Sequence, residues 1–257
     1  MAIVRLLEGL PPERRGWVMG TLKALDSPQS DYSRLLRLAQ RACEIAKSAA
    51  SATAEGISSR SPERLTPVRS YEEELDTLDR EINEGVTAAI THVDEKEARE
   101  LLACLKFILE LERIGDLLLN FANRAIAILP RVSDQDVKDL TTMATILHRM
   151  LSDVEEAFSK RDLKRTLQIL RSDAELDRVR NLMFVRHIEN PDNQPRREGF
   201  HLVFMVQTLE RAGDHAKNLA EEICQLVSGR SMRHFRRAND KPIEEMFLDW
   251  MRKQDRK

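Results

Sequence analysis

Two stretches of the chain carry apolar residues at steps of three and four. In the first, Cys104, Ile108, Leu111, Gly115, Leu118, Ala122, Ile126 and Leu129 form one stripe. In the second, Leu202, Val206, Leu209, Gly213, Ala216, Ala220, Cys224 and Val227 do the same. That period predicts two amphipathic helices, each with one face toward a core. Pro130 stops the first and Ser228-Gly229 caps the second. A helix over roughly 162–189, ending at Asn190-Pro191, precedes the second stretch. Its counterpart in the first half runs to about His92 and starts at either Ser61-Pro62 or Thr66-Pro67. Both starts offer an N-cap residue followed by proline at the first helical position. Further helices are expected over 31–54 and 133–159.

The pattern is therefore all-α: a tandem duplication of two antiparallel three-helix bundles, residues 31–130 and 131–230, with short connections. An N-terminal extension, 1–30, carries a weak amphipathic signal over 12–25. The C-terminal segment, 231–257, begins as a basic linker. It then places Ile243, Met246, Phe247, Trp250 and Met251 at helical spacing, predicting a short helix that docks on something.

Polar positions strengthen the duplication. Leu111-Glu112-Arg113-Ile114-Gly115-Asp116 recurs 98 positions on as Leu209-Glu210-Arg211-Ala212-Gly213-Asp214, and Asn120 and Ala122 match Asn218 and Ala220. A second echo relates Glu72-Glu73-Glu74-Leu75-Asp76 to Asp173-Ala174-Glu175-Leu176-Asp177. Self-similarity at a long offset marks a repeated unit. Each half thus holds two acidic pairs at i, i+4: Glu72 with Asp76 and Glu112 with Asp116, then Asp173 with Asp177 and Glu210 with Asp214. Such residues share a helix face, and like charges at that spacing cost roughly 0.2–0.5 kcal/mol per pair. If the two acid-bearing helices of one half are neighbours, four carboxylates meet on one shoulder. Arginines such as Arg113, Arg211, Arg178 and Arg180 could neutralise them as ordinary surface ion pairs. A metal cation could also do so, and an oxygen-only set favours hard ions such as magnesium, manganese, calcium or iron. Asn120 and Asn218 continue the stripe by a turn. Gly115 and Gly213 lie inside helices, where glycine permits close backbone approach.

Composition narrows the picture. Charged residues make up 33% and aromatics 5%, a mixture that suits helices and gives little support to sheets. No run is long and apolar enough for a membrane span, and the first residues do not read as a secretory signal. Cys43, Cys104 and Cys224 are odd in number and lack metal-type spacing, as expected of buried thiols in a reducing cytoplasm. A net charge of −2 gives no general pull toward nucleic acid.

The run Thr208-Leu209-Glu210-Arg211-Ala212-Gly213-Asp214-His215-Ala216-Lys217-Asn218-Leu219-Ala220-Glu221 resembles the signature of the PhoU family of phosphate-transport regulators. The resemblance covers roughly 31–234 and is strongest in the second half. It implies two homologous three-helix bundles whose Glu/Asp-x-x-x-Asp motifs hold metal, as multinuclear iron or zinc clusters, with magnesium or manganese as other ions. Carried over, the ligands would be Glu72, Asp76, Glu112, Asp116, Asp173, Asp177, Glu210 and Asp214. It implies a cytoplasmic regulator, not an enzyme, reaching the membrane only through partners. These would be a phosphate ABC transporter and a phosphate-sensing histidine kinase, or a sodium-phosphate cotransporter. It also implies a homodimer.

Rival chemistry finds less support. Di-iron bundles use Glu-x-x-His at i, i+3, and none of the paired acids has a histidine at that spacing; no nucleophile motif or phosphate loop appears. The histidines read as surface or packing residues. The basic run Arg230, Arg233, His234, Arg236 and Arg237 could meet phosphates or anionic lipid, but reads as a solvated linker. A metal-free helical adaptor is the nearest alternative.

Overall fold

A computed structural model describes residues 28–189 and 197–229. The amphipathic segments expected over 12–25 and 242–253, and the basic run from Arg230, lie outside the described residues. Those described form seven α-helices and no strand: α1 Pro28–Ser58, α2 Pro62–Leu65, α3 Pro67–Ala89, α4 Glu95–Ile128, α5 Asp134–Lys160, α6 Leu163–Phe184 and α7 Arg197–Ser228. Six are long, and α2 is a single turn.

The helix ends follow from local chemistry. Both proline starts in the first half are used. The Ser61 hydroxyl accepts from the Arg64 N–H at 3.4 Å to open α2, and Thr66 passes the chain in helical conformation into α3. Helix α4 opens on a capping box. The Asp94 carboxylate accepts from the Glu97 N–H at 2.8 Å while Glu97 accepts from the Asp94 N–H at 3.3 Å. Ser133 caps α5, and Arg161 ends it at φ 55°. Helix α6 gives way at Val185–Glu189 to a π-helix, five residues short of the expected end. The wider turn brings Arg186 and His187 onto Asp136 of α5, at 2.9 and 2.8 Å.

One hydrophobic core runs through both repeats. Within the halves α3 packs on α1 and α4, and α6 packs on α5 and α7. Across them α1 packs on α5 and α4 on α7. Ala39, Ala42, Ala46, Ala49 and Ala50 are buried along α1, whose short side chains let neighbouring helices come close. Phe107 of α4 meets Phe158 of α5 with ring centroids 4.4 Å apart. The acid-bearing helices α3 and α6 are therefore the outer members, each lying along one side of its half. The three cysteines are free and buried, and burial pushes the Cys104 thiol up to about 12 and Cys224 to about 11. They are inert at neutral pH.

Candidate metal centre

Antiparallel packing of α3 on α4, and of α6 on α7, brings the acidic pairs of each half onto a shared seam. Gly115 makes the first approach possible. A Cβ there would lie 2.7 Å from Leu75 Cδ1 and 3.8 Å from the Glu72 Cα, so the backbone bearing Glu72 rests almost directly on the glycine. Gly213 does the same more loosely, with Leu176 Cδ2 at 3.3 Å from an added Cβ.

In the first seam the carboxylates feel one another. Partial burial, then Asp76 and Asp116, raise the Glu72 pKa above the usual carboxylate range. Burial and Asp116 raise Glu112, with Asp76 and Asp79 adding to the effect. Arg113 lies 3.5 Å from Glu112 and 3.7 Å from Asp116, but it sits on the same helix and is largely exposed. Among the described residues no lysine or arginine bridges α3 to α4 here. Asp79 joins the seam as a further carboxylate, held by the Asn83 amide, which donates at 2.8 Å.

The second seam is built on the same backbone with different charges. Lys217 of α7 donates to Asp173 of α6 at 2.8 Å and to Asp214 of its own helix at 2.5 Å. Arg180 of α6 lies 3.3 Å from Glu210 on α7 and 3.4 Å from Asp177. Every acid of this seam therefore has a basic partner. Burial still raises Asp173 and Glu210, while Asp173 and Asp214 outweigh desolvation to raise Lys217.

The eight acids named from sequence are thus brought to two seams, four to each. In neither do three His, Cys, Asp or Glu side chains among the described residues draw together as ligands around one point. Of the arginines weighed as neutralisers, Arg113 and Arg180 do pair with the acids. The asparagines do not act alike. Asn120 is exposed, whereas Asn218 turns to the other half and donates to Glu110 of α4 at 3.1 Å, beside His215 at 2.6 Å from the same carboxylate. Sequence reasoning missed Lys217 and Asp79. The signal was present in the aligned copies, where Leu119 stands opposite Lys217 and Arg180 opposite Asp79.

Comparison with known proteins identifies this architecture. The PhoU domain model matches twice, over residues 39–125 and 140–223, one match per repeat. The chain belongs to the PhoU family. A relative from Xylella fastidiosa, named phosphate-specific transport system accessory protein PhoU homolog, is 28% identical over 214 residues, covering 80% of this chain and 89% of its own. A Zymomonas mobilis protein of the same name is 28% identical over 228 residues, covering 86% and 93%. The crystal structure of PhoU from Pseudomonas aeruginosa superposes with a TM-score of 0.71 at 20% identity, over 79% of this chain and all of that one. At that identity the likeness speaks to the fold. The two PhoU repeats coincide with the halves that carry the seams.

As donor sets the two seams differ. The first offers hard oxygen groups, the donor type magnesium, manganese or iron takes, with Arg113 of the same helix as the basic partner of Glu112 and Asp116. The second already has an ammonium and a guanidinium among its oxygens. No described helix is long and apolar enough to cross a membrane.

Proposed function

We propose that this chain is a non-enzymatic, metal-binding regulator of phosphate uptake and phosphate-starvation signalling. It works in the cytoplasm, as a homodimer, on a phosphate ABC transporter and its sensor kinase. The observation that carries the regulatory part is the family: both repeats match the PhoU domain, and relatives matched over most of their length are named accessory proteins of phosphate-specific transport. The metal part is supported by the paired carboxylates on the helix seams. A hard cation bound there would neutralise the facing acids and tie one helix to the next. Glu72, Asp76, Glu112 and Asp116 would hold it in the first half, and Asp173, Asp177, Glu210 and Asp214 are the corresponding residues of the second.

A metal-independent adaptor, acting on a sodium-phosphate cotransporter or another membrane transporter, is the second reading. The lysine bridge in the second seam favours it for that half, since those acids need no ion. Deleting the gene tests the regulatory claim. The expected result is raised phosphate import, or phosphate-starvation genes expressed in high phosphate. Unchanged phosphate control in a strain with no second member of the family would contradict it.

A further inference from the structure

Away from the acidic seams, α4 and α7 leave an apolar groove on the outside of the bundle. A cavity of about 270 Å³ opens between Leu102 of α4, Leu226 of α7 and Gly229 just past its end, with Arg99, Lys106 and Glu222 as its charged walls. Lys106 pairs with Glu222 across it at 2.8 Å. Leu109, two turns on from Leu102, continues the same face of α4, and the two leucines are 53% and 47% exposed. A stripe of half-exposed leucines running out of a cavity is a contact surface rather than scattered surface apolarity. The chain leaves the bundle at this same place. Gly229 donates its N–H to the Gln225 carbonyl at 2.8 Å and turns at φ 72°, the left-handed stop that ends α7. Residues 230–257, outside the described residues, therefore start from the wall of the cavity.

We propose that segment 242–253 of the same chain docks in the α4–α7 groove as an amphipathic helix, with Ile243, Met246, Phe247, Trp250 and Met251 seated on Leu102, Leu109 and the cavity. The dimensions agree. From Ile243 to Met251 a helix rises about 12 Å, and from Leu102 to Leu109 about 10 Å. The cavity is smaller than the roughly 300–1,000 Å³ of a small-molecule cleft, and suits an anchoring side chain of a helix laid in a groove. Charge agrees as well. The charged residues between Ile243 and Met251 are Glu244, Glu245 and Asp249, all acidic. They would meet Arg99 and Lys106, since Lys106 already balances Glu222 and Arg99 is held only by the exposed Glu95 of its own helix.

The tether makes the contact one within a single chain. Twelve residues, 230–241, separate Gly229 from Pro242 and span up to ~40 Å extended, or ~20 Å as a flexible coil. The groove begins where that tether begins, so the segment faces its site at an effective concentration on the order of millimolar. A second copy would have to compete with that. The amino-terminal segment, 12–25, fits less well: it brings Arg14, Arg15 and Lys23 toward a basic wall and carries glycine at 16 and 20. Once seated, 242–253 closes the groove to any other partner.

The test reads Trp250 in the full chain. Trp17 and Trp250 are its two tryptophans, so Trp17→Phe leaves Trp250 as the sole indole. Its emission should lie at shorter wavelength than that of a free peptide of residues 241–257, and should stay there on dilution. Leu102→Glu with Leu109→Glu should shift it to the wavelength of the peptide while circular dichroism shows the bundle intact. Phe247→Ser, which lies beyond both PhoU matches and leaves the bundle untouched, should do the same. Peptide-like emission in the Trp17→Phe chain, or emission that folded Leu102→Glu with Leu109→Glu leaves unmoved, would overturn the proposal. So would a shift that disappears on dilution as light scattering shows the mass halve, which would make the contact one between copies.

Discussion

Asp136 shows how far a single carboxyl can be held by its surroundings. Burial alone would raise its pKa, but hydrogen bonds from His187, Ser133 and Arg186 outweigh burial and hold it down at about 2. A carboxylate depressed on folding contributes stability that is complete above its unfolded pKa and is lost as the pH falls through the folded value. The window here runs from about pH 4 to about pH 2. Asp136→Asn is expected to cost ~2 kcal/mol at pH 7, measured by urea unfolding, and to flatten the loss of stability across that window. Glu112 works the other way. Its folded pKa is raised by burial and Asp116, so its ionisation opposes folding once the pH passes the unfolded value, and the penalty vanishes below it. In chelator at neutral pH, Glu112→Gln should therefore steady the chain by a few tenths of a kcal/mol, with no gain left near pH 4. A loss of stability in chelator would show that the acid is already paired.

At the scale of elements, the glycines separate the two seams. Alanine gains ~1 kcal/mol of helix propensity over glycine. At Gly213 the added methyl meets Leu176 at 3.3 Å, a small shift away from ordinary contact, so Gly213→Ala should be close to neutral. At Gly115 it meets buried Leu75 at 2.7 Å with the Glu72 backbone behind, so Gly115→Ala should lose ~1–3 kcal/mol to overpacking. Denaturant midpoints of the two variants compare them directly. These elements also show what pattern alone can reach. The stripes through Leu111 and Leu209 located α4 and α7, because burial on one face imposes the helical period. Pro62 and Pro67 left two starts open, and the chain uses both because Thr66 remains helical between them. The π-turn at Val185–Glu189 was invisible, since it arises from Asp136 on another helix drawing in Arg186 and His187. The acidic pairs were legible as repeated i, i+4 spacings. Lys217 was not, because a lysine on a solvated face and one bridging two helices look alike until the neighbouring helix is in place.

Across the whole molecule, the repeats are not independent folding units. The α1–α5 and α4–α7 contacts join them through one continuous core, and α4 and α7 are further tied by Glu110 with His215 and Asn218. Lys47 of α1 pairs with Glu155 of α5 on the other contact. A fragment of residues 28–131 would expose the apolar faces of α1 and α4 to water. It is expected to be unfolded or aggregated on its own, while the intact chain loses its helicity in one transition with a single calorimetric peak. Two separated calorimetric peaks would contradict this. The functional claim is also one about the whole molecule, since both repeats match the family and both carry paired acids. It is tested most directly by restoring the deletion strain with seam variants and reading a phosphate-starvation reporter in high phosphate. Glu112→Gln with Asp116→Asn, expressed to the same level as the wild type, should leave the reporter on. Full repression by the Glu112 and Asp116 variant would contradict the account.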